Sequence, residues 1–359
     1  MKALRKKVSV ANRSKTLRGS KGIALLITLA ILGAVVTLSL EMNRRERSSV
    51  TQATIQSHRL ALSEMASTGV QIAMAMLIKD KSVSETDSVQ GHWANPDSIL
   101  SVVKELPFET GELTVVIGDE RGKIQVNALV QGDGGRQFNE SQKELWARFL
   151  KYMNMHLPLA GSVDTDTIIE SLKDWMDDDD RVTGIHGAKS DYYLSLTPPY
   201  RSRNGPIPNI GEMLLVKGVT ADLFWGDSTT KGLSAYVTSY HDKDTSAGMI
   251  NINTADVPVL AAMLPSGRED IAQMIADYRT EKSNSDYVND LSDPSWYQKV
   301  PGIQDDVMDS QLICTSSDVF RIRATARMDH LSVTTTALIH RETTKTGKNH
   351  CRILEWLTE

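Results

Sequence analysis

The 359 residues carry 40 Lys and Arg against 45 Asp and Glu, with 40% apolar residues, enough chain to bury a sizeable core and to form two domains or more. That composition excludes wholesale disorder, and two cysteines exclude a small disulfide-stapled scaffold. The net charge of -5 averages two unlike pieces: residues 1–22 hold eight basic residues and no acid, whereas 23–359 hold 32 basic and 45 acidic residues, a body that repels a polyanion.

Ile23 to Leu40 is an uncharged run interrupted only by Thr28, Gly33, Thr37 and Ser39. As a helix it covers roughly 27 Å, the thickness of a bilayer's hydrocarbon core. Basic residues precede it and Glu41 follows, so the positive-inside rule places 1–22 in the cytoplasm and the bulk of the chain outside. The expected location is the inner membrane, single-pass, with a periplasmic body. Leu38 to Arg45 lacks the small-residue pattern of a secretory cleavage site. Lys21-Gly22 followed by Ile23-Ala24-Leu25-Leu26-Ile27-Thr28-Leu29 resembles instead the class III signal of the type IV pilin and pseudopilin superfamily. That resemblance implies cleavage after Gly22 by a prepilin peptidase and methylation of the new terminus at Ile23; an uncleaved single-pass anchor is the alternative. Most of that superfamily has Glu at the fifth mature position, where this chain has Ile27. The carboxylate is thought to neutralise a neighbouring subunit's terminal amine within the membrane, so a subunit lacking it suits the end of a filament.

No proline occurs before Pro96, and Leu62, Met65, Ala66, Ile72, Ala73 and Met76 recur at helical spacing. One helix is predicted from about 23 to 79, apolar all round at first and amphipathic later, with a sheet needed to cover its second half. Gly69 lies on the covered face as a close packing contact. Strands are predicted at Glu112 to Gly118 and Lys123 to Val126, joined by Asp119-Glu120-Arg121-Gly122. Beyond the linker Gln131-Gly132-Asp133-Gly134-Gly135 the patterns turn helical: Ser141 to Met155, Thr165 to Met176, Ile210 to Val216, Val257 to Leu264 and Glu269 to Glu281. Alternation returns over Val319 to Arg327, then Ser332 to His340 and Arg352 to Trp356, with a turn around Thr344 to Asn349. The reading is an α+β fold in which a long N-terminal helix packs on an antiparallel sheet that a large all-α domain interrupts. Its divisions are a leader 1–22, a membrane segment 23–42, a first α/β part 43–130, a helical insert 131–311 and C-terminal strands 312–359.

Several strings together resemble the type II secretion minor pseudopilin K family: the class III junction without its Glu, Gly118-Asp119-Glu120-Arg121-Gly122-Lys123-Ile124-Gln125-Val126-Asn127, and Asp174-Trp175-Met176-Asp177-Asp178-Asp179. Gly187-Ala188 with Asp191-Tyr192-Tyr193, Pro198-Pro199-Tyr200-Arg201, Ile250-Asn251-Ile252-Asn253-Thr254-Ala255 and Ser317-Asp318-Val319-Phe320-Arg321-Ile322-Arg323-Ala324 follow in the same order. The resemblance implies a pilin-like fold carrying a helical insert. It also implies a non-catalytic subunit that joins minor pseudopilins I and J in a complex capping and initiating the periplasmic pseudopilus. A bulky insert is hard to fit around every subunit of a close-packed shaft, which again favours the tip.

Asp174, Asp177, Asp178, Asp179 and Asp180 supply hard oxygens at close spacing, which suits calcium, although Arg181 and Val182 break an EF-hand pattern. The bland reading is a solvated helix end, whose acids oppose the macrodipole and gain from a counter-cation. The family resemblance implies calcium in the helical domain, with Asp177 and Asp179 as leading ligands and Asp180 and Asp191 as lesser ones. Lys189 departs from the acid the family often has after Gly187-Ala188. His186 near this cluster reads as a surface residue. The stretch from Ile250 through Arg279 also resembles a helix-hairpin-helix module, which raises a membrane-anchored DNA-uptake receptor as the alternative function. Its turn, Leu264-Pro265-Ser266-Gly267-Arg268-Glu269-Asp270, puts two acids where phosphate would approach, so a structural hairpin without nucleic acid is expected. A calcium-dependent adhesin is a third reading. No H-E-x-x-H, P-loop or G-x-S-x-G is present, which argues against an enzyme. Cys314 and Cys351 are expected near neighbouring C-terminal strands, as a disulfide or as two free thiols.

Overall fold

A computed structural model of the chain describes residues 20–105, 108, 111–156, 164–240, 248–303, 308–344 and 347–359. The expected leader, apart from its last three residues, lies outside them. The chain divides into two units, one ending at Ala61 and one running from Leu62 to Glu359. The first helix, α1 (Ser20–Lys81), belongs to both. No proline or capping residue interrupts it, so the run forecast for 23–79 extends by a few residues at each end.

In the first unit, positions 22–61 of α1 are exposed all round except half-buried His58. In the second unit the helix is amphipathic. Leu62, Met65, Ala66, Val70, Ala73 and Leu77 are buried at three- and four-residue spacing. Ile72 and Met76, expected on that face, are half-buried at its margin.

The remaining helices are α2 (Pro96–Lys104), α3 (Glu140–His156), α4 (Thr165–Met176), α5 (Ser190–Leu194), α6 (Ala221–Trp225), α7 (Val257–Met263) and α8 (Ile271–Thr280). The strands are β1 (Glu112–Asp119), β2 (Ile124–Gln125), β3 (Val130–Gln131), β4 (Gln137–Phe138), β5 (Val237–Thr238) and β6 (Ile250–Asn251). They continue with β7 (Lys282–Ser283), β8 (Asp286–Tyr287), β9 (Ile313–Cys314), β10 (Val319–Met328), β11 (Leu331–Thr343) and β12 (Asn349–Thr358).

One antiparallel sheet of four strands, in the order β1-β10-β11-β12, accepts the buried face of α1. Leu113, Val115 and Ile117 of β1 and Phe320, Ile322, Ala324 and Ala326 of β10 alternate onto that side. Gly69 is where helix and sheet come closest: a Cβ there would stand 3.0 Å from both Ala324 Cβ and Val115 Cγ2.

The strand expected at Lys123 to Val126 is not part of this sheet. β2 is two residues long and pairs in parallel with β5, and Ile124 and Val126 enter a second core. That core holds α3, α4, α7 and α8 and reaches Ile313. The helical insert therefore draws its apolar residues from 124 to 313, and the short pairs β2/β5, β3/β4, β6/β9 and β7/β8 stitch its loops. Ile210–Leu215 is a 3₁₀ helix rather than an α-helix.

Candidate functional site

Among the described residues, α1 is the one helix long and apolar enough to cross a membrane. The two threonine hydroxyls there are satisfied within the helix. Thr28 Oγ1 donates to Leu25 O at 2.9 Å and Thr37 Oγ1 to Gly33 O at 2.5 Å, as a hydroxyl in hydrocarbon must. Among the described residues none lies within 4 Å of where a Cβ on Gly22 would stand, and Ile23 and Ile27, the positions of the expected new terminus and of the missing carboxylate, are 60% and 54% exposed. The first charged pair, Glu41 with Arg45 at 3.2 Å, lies just past the apolar run.

The acid cluster at the end of α4 does not converge. Asp177 is fully buried, and its two carboxylate oxygens are taken by lysines: Lys173 Nζ lies 2.7 Å from Oδ2, and Lys189 Nζ holds Oδ1. Asp174 is also buried and accepts the Thr183 amide at 3.0 Å; burial raises its carboxyl above the ordinary range, against the Thr183 bonds. Asp178 turns to Arg136 at 2.6 Å, and Asp179 accepts the amide of Arg181 at 2.8 Å within its own turn. Asp180 and Asp191 are exposed, Asp191 in the first turn of α5. His186 faces Asp164 rather than the cluster. No three His, Cys, Asp or Glu side chains among the described residues stand close enough to share a metal ion. The donor set implied for calcium therefore does not fit this geometry.

The two cysteines lie in different sheets. Cys314 is in β9, paired to β6, and Cys351 is in β12 with its thiol toward Met74 O. Both are free. Burial pushes each thiol up to about 11, which leaves little thiolate at neutral pH. The expected neighbouring placement fails because Ile313-Cys314 closes the helical insert instead of opening the large sheet.

In the hairpin segment, Glu269 accepts the amide of Gly267 at 3.0 Å, the kind of donor a phosphate would need. Arg279 of α8 is 5% exposed and donates to Ile252 O at 2.8 Å inside the core. The one arginine of α8 is thus committed to the core, while Asp270, Gln273 and Asp277 of the hairpin are exposed.

What sequence reasoning missed is a buried polar junction between sheet and insert. Asp119, at the end of β1, accepts Asn251 Nδ2 at 2.9 Å, Thr254 Oγ1 at 2.6 Å and Ser317 Oγ at 2.5 Å, and its other oxygen accepts the Arg121 amide at 2.8 Å. Burial raises its carboxyl to about 6, against the pull of the Ser317 and Thr254 hydroxyls. Beside it, Arg341 of β11 donates to both oxygens of Asp87 at 2.7 and 2.6 Å, to Ser317 O at 2.7 Å and to Leu77 O at 3.1 Å. Both side chains of that pair are at most 2% exposed. Burial alone would raise Glu120, but Lys123 and Arg321 outweigh it and hold it down at about 2. Arg121 grips Asp318 with two nitrogens, at 2.5 and 2.9 Å. Gly122 is required here, since a Cβ would come within 2.8 Å of Thr254 Oγ1.

Most of these residues belong to three of the strings that carry the family resemblance, where sequence alone gave them no role. The convergence of those strings was the available signal. Asp87 and Arg341 had none, because they meet across 254 positions.

Residues 122–225 match the family model described as type II secretion system protein K. The chain is 27% identical over 255 residues to the type II secretion system protein K of Pseudomonas aeruginosa, covering 68% of each. Over 252 residues it is 27% identical to that of Klebsiella pneumoniae, covering 68% of this chain and 71% of the relative. Over 254 residues it is 28% identical to that of Pectobacterium carotovorum, covering 68% and 70%. In fold it is similar to a chain of the crystal structure of the GspK-GspI-GspJ complex of the enterotoxigenic Escherichia coli type 2 secretion system, with a TM-score of 0.64 at 19% identity, covering 86% of this chain and 99% of that one.

Proposed function

We propose that the chain is a member of the type II secretion system protein K family and acts as a non-catalytic minor pseudopilin that caps and initiates the pseudopilus. The observation that carries the reading is the pairing of two features on α1. Among the described residues, 22–61 are exposed apart from half-buried His58, and the following turns hold a sheet whose first two neighbours are separated by the whole helical insert.

A bare apolar helix is a surface waiting for other helices or lipid. We assign its first half to the inner membrane and its partners to the minor pseudopilins I and J, in keeping with the complex in which the structural neighbour was solved. Ile27 supports a tip position, since the chain brings no carboxylate to a subunit stacked beyond it. Prepilin peptidase would cut between Gly22 and Ile23 on the cytoplasmic face, where none of the described residues would meet a Cβ at Gly22 within 4 Å.

The test is co-expression of the full chain with the cognate I and J pseudopilins and prepilin peptidase, followed by purification on a tag at the C-terminus. A ternary complex whose K subunit begins at Ile23 is the expected product. A monomeric K chain, with I and J recovered apart from it, refutes the assignment.

A further inference from the structure

The place implied for calcium holds ammonium groups. Lys173, Lys189, Asp174 and Asp177 are all buried, and their formal charges sum to zero. Lys189 Nζ binds both Asp177 Oδ1 and Asp177 O, at 3.2 Å for the carbonyl, and so joins the end of α4 to the residue before α5. Lys173 Nζ completes the clamp by reaching Thr183 Oγ1 at 3.0 Å in the intervening loop. A carboxylate, a main-chain carbonyl and a hydroxyl are the hard oxygen donors a calcium ion collects. Here two buried ammonium groups collect them. A divalent ion entering this neutral set would leave a buried surplus of charge unless an ammonium left.

We propose that the Lys189 ammonium stands in for a divalent cation in this chain, locking the α4–α5 loop so that the helical insert holds its fold without calcium. The inference rests on the four side chains alone and is independent of the assembly assigned above. The bridge is enclosed, with both side chains at most 5% exposed.

Thermal unfolding of the full-length protein in detergent, with excess chelator or with millimolar calcium, tests it. The wild-type midpoint is expected to be the same in both. Lys189→Met leaves Asp177 with one cation and should lower the midpoint by roughly 5–10 °C, equally with and without calcium. Lys189→Asp restores an acid to the position, and its midpoint should rise with calcium concentration as a ligand-linked transition does. A wild-type midpoint that falls on chelation overturns the proposal. So does a Lys189→Met midpoint equal to wild type, or a Lys189→Asp protein indifferent to calcium. Should either variant fail to fold, limited proteolysis of the 178–189 loop in the wild type, compared between chelator and calcium, takes its place: equal protection in both is the expected result, and loss of protection on chelation is the refuting one.

Discussion

Arg341 and Asp87 form the most enclosed ion pair of the junction, and their removal, singly and together, separates the worth of the pair from the cost of breaking it. Arg341→Met keeps a flexible apolar stem over Phe320, whose ring centroid lies 4.8 Å from the guanidinium carbon, but strips Asp87 of the Nη2 nitrogen that bonds both its oxygens. Among the described residues the Ser317 amide, at 2.8 Å, is the donor that still reaches that carboxylate, and the Leu77 and Ser317 carbonyls each lose a donor. An uncompensated buried charge costs about 3–5 kcal/mol, a large share of the roughly 5–15 kcal/mol that holds a typical domain. Asp87→Leu should cost a similar amount by leaving the guanidinium unpaired. The double variant removes both charges and should lose only about 1–2 kcal/mol, for the carbonyls and the Ser317 amide. The coupling energy is then about 3 kcal/mol or more. Urea unfolding of the detergent-purified full chain, followed by tryptophan fluorescence, reads it, since Trp93 packs edge-on to Phe320 at 5.2 Å. If the two single losses simply add in the double variant, Arg341 and Asp87 do not act as a unit and the junction is not held by their pairing.

Two further outcomes follow from the same geometry. Because burial raises Asp119 to about 6, the native state binds its proton more tightly than the unfolded chain; its contribution to stability is fully present below about pH 4 and lost as pH rises through 6. Glu120, held near 2, contributes above about 4.5 and does not titrate between 5 and 7, so lowering the pH from 7 to 5 should stabilise the protein by about 1 kcal/mol in urea titrations, and Asp119→Asn should flatten that slope whatever it does to absolute stability. Gly69→Val forces a Cβ and two methyl groups against Ala324 and Val115 and should lower stability by about 1–3 kcal/mol, whereas Gly33→Val, with open space around it, should leave the unfolding midpoint in place.

The fold was legible where a local period reports burial. Val319 to Arg327 alternates because β10 has one face on α1, and Thr165 to Met176 is helical in sequence and structure alike, capped by Asp164 and ended at Asp177. Legibility failed where a short apolar run had two possible hosts. Lys123 to Val126 has strand composition, but two residues of pairing with β5 suffice to carry Ile124 into the insert's core, and no local pattern tells which core receives it. The acid run failed differently. Its spacing showed ligands at the right density, yet Asp177 turns to Lys173 and Lys189, Asp178 to Arg136 and Asp179 to the Arg181 amide, and the residue that decides, Lys189, lies twelve positions on. Charge clusters are read from sequence as sums, whereas burial sorts them pair by pair.

The junction also explains how so large an insert is tolerated in so small a sheet. Asp119 and Phe320 are register partners, and Glu120 N bonds to Val319 O at 3.0 Å, so the chain leaves β1 and returns in β10 at adjoining points of one ladder. Closing a loop between fixed points costs only about 0.6 kcal/mol more per doubling of its length, so the sheet sets no tight limit on what lies between. It follows that residues 120–319 can be replaced by a two-residue Asn-Gly turn between the register partners Asp119 and Phe320, the shortest link that suits the twist of two antiparallel strands. The core of Leu62 to Leu77 on β1, β10 and β11 needs nothing from the deleted stretch, and Asp119, no longer buried, needs no donors. The shortened chain should keep a cooperative unfolding transition and an antiparallel signal by circular dichroism while losing the gain in stability between pH 7 and 5. An unfolded product would mean that the sheet depends on the insert, and that the two cores are one.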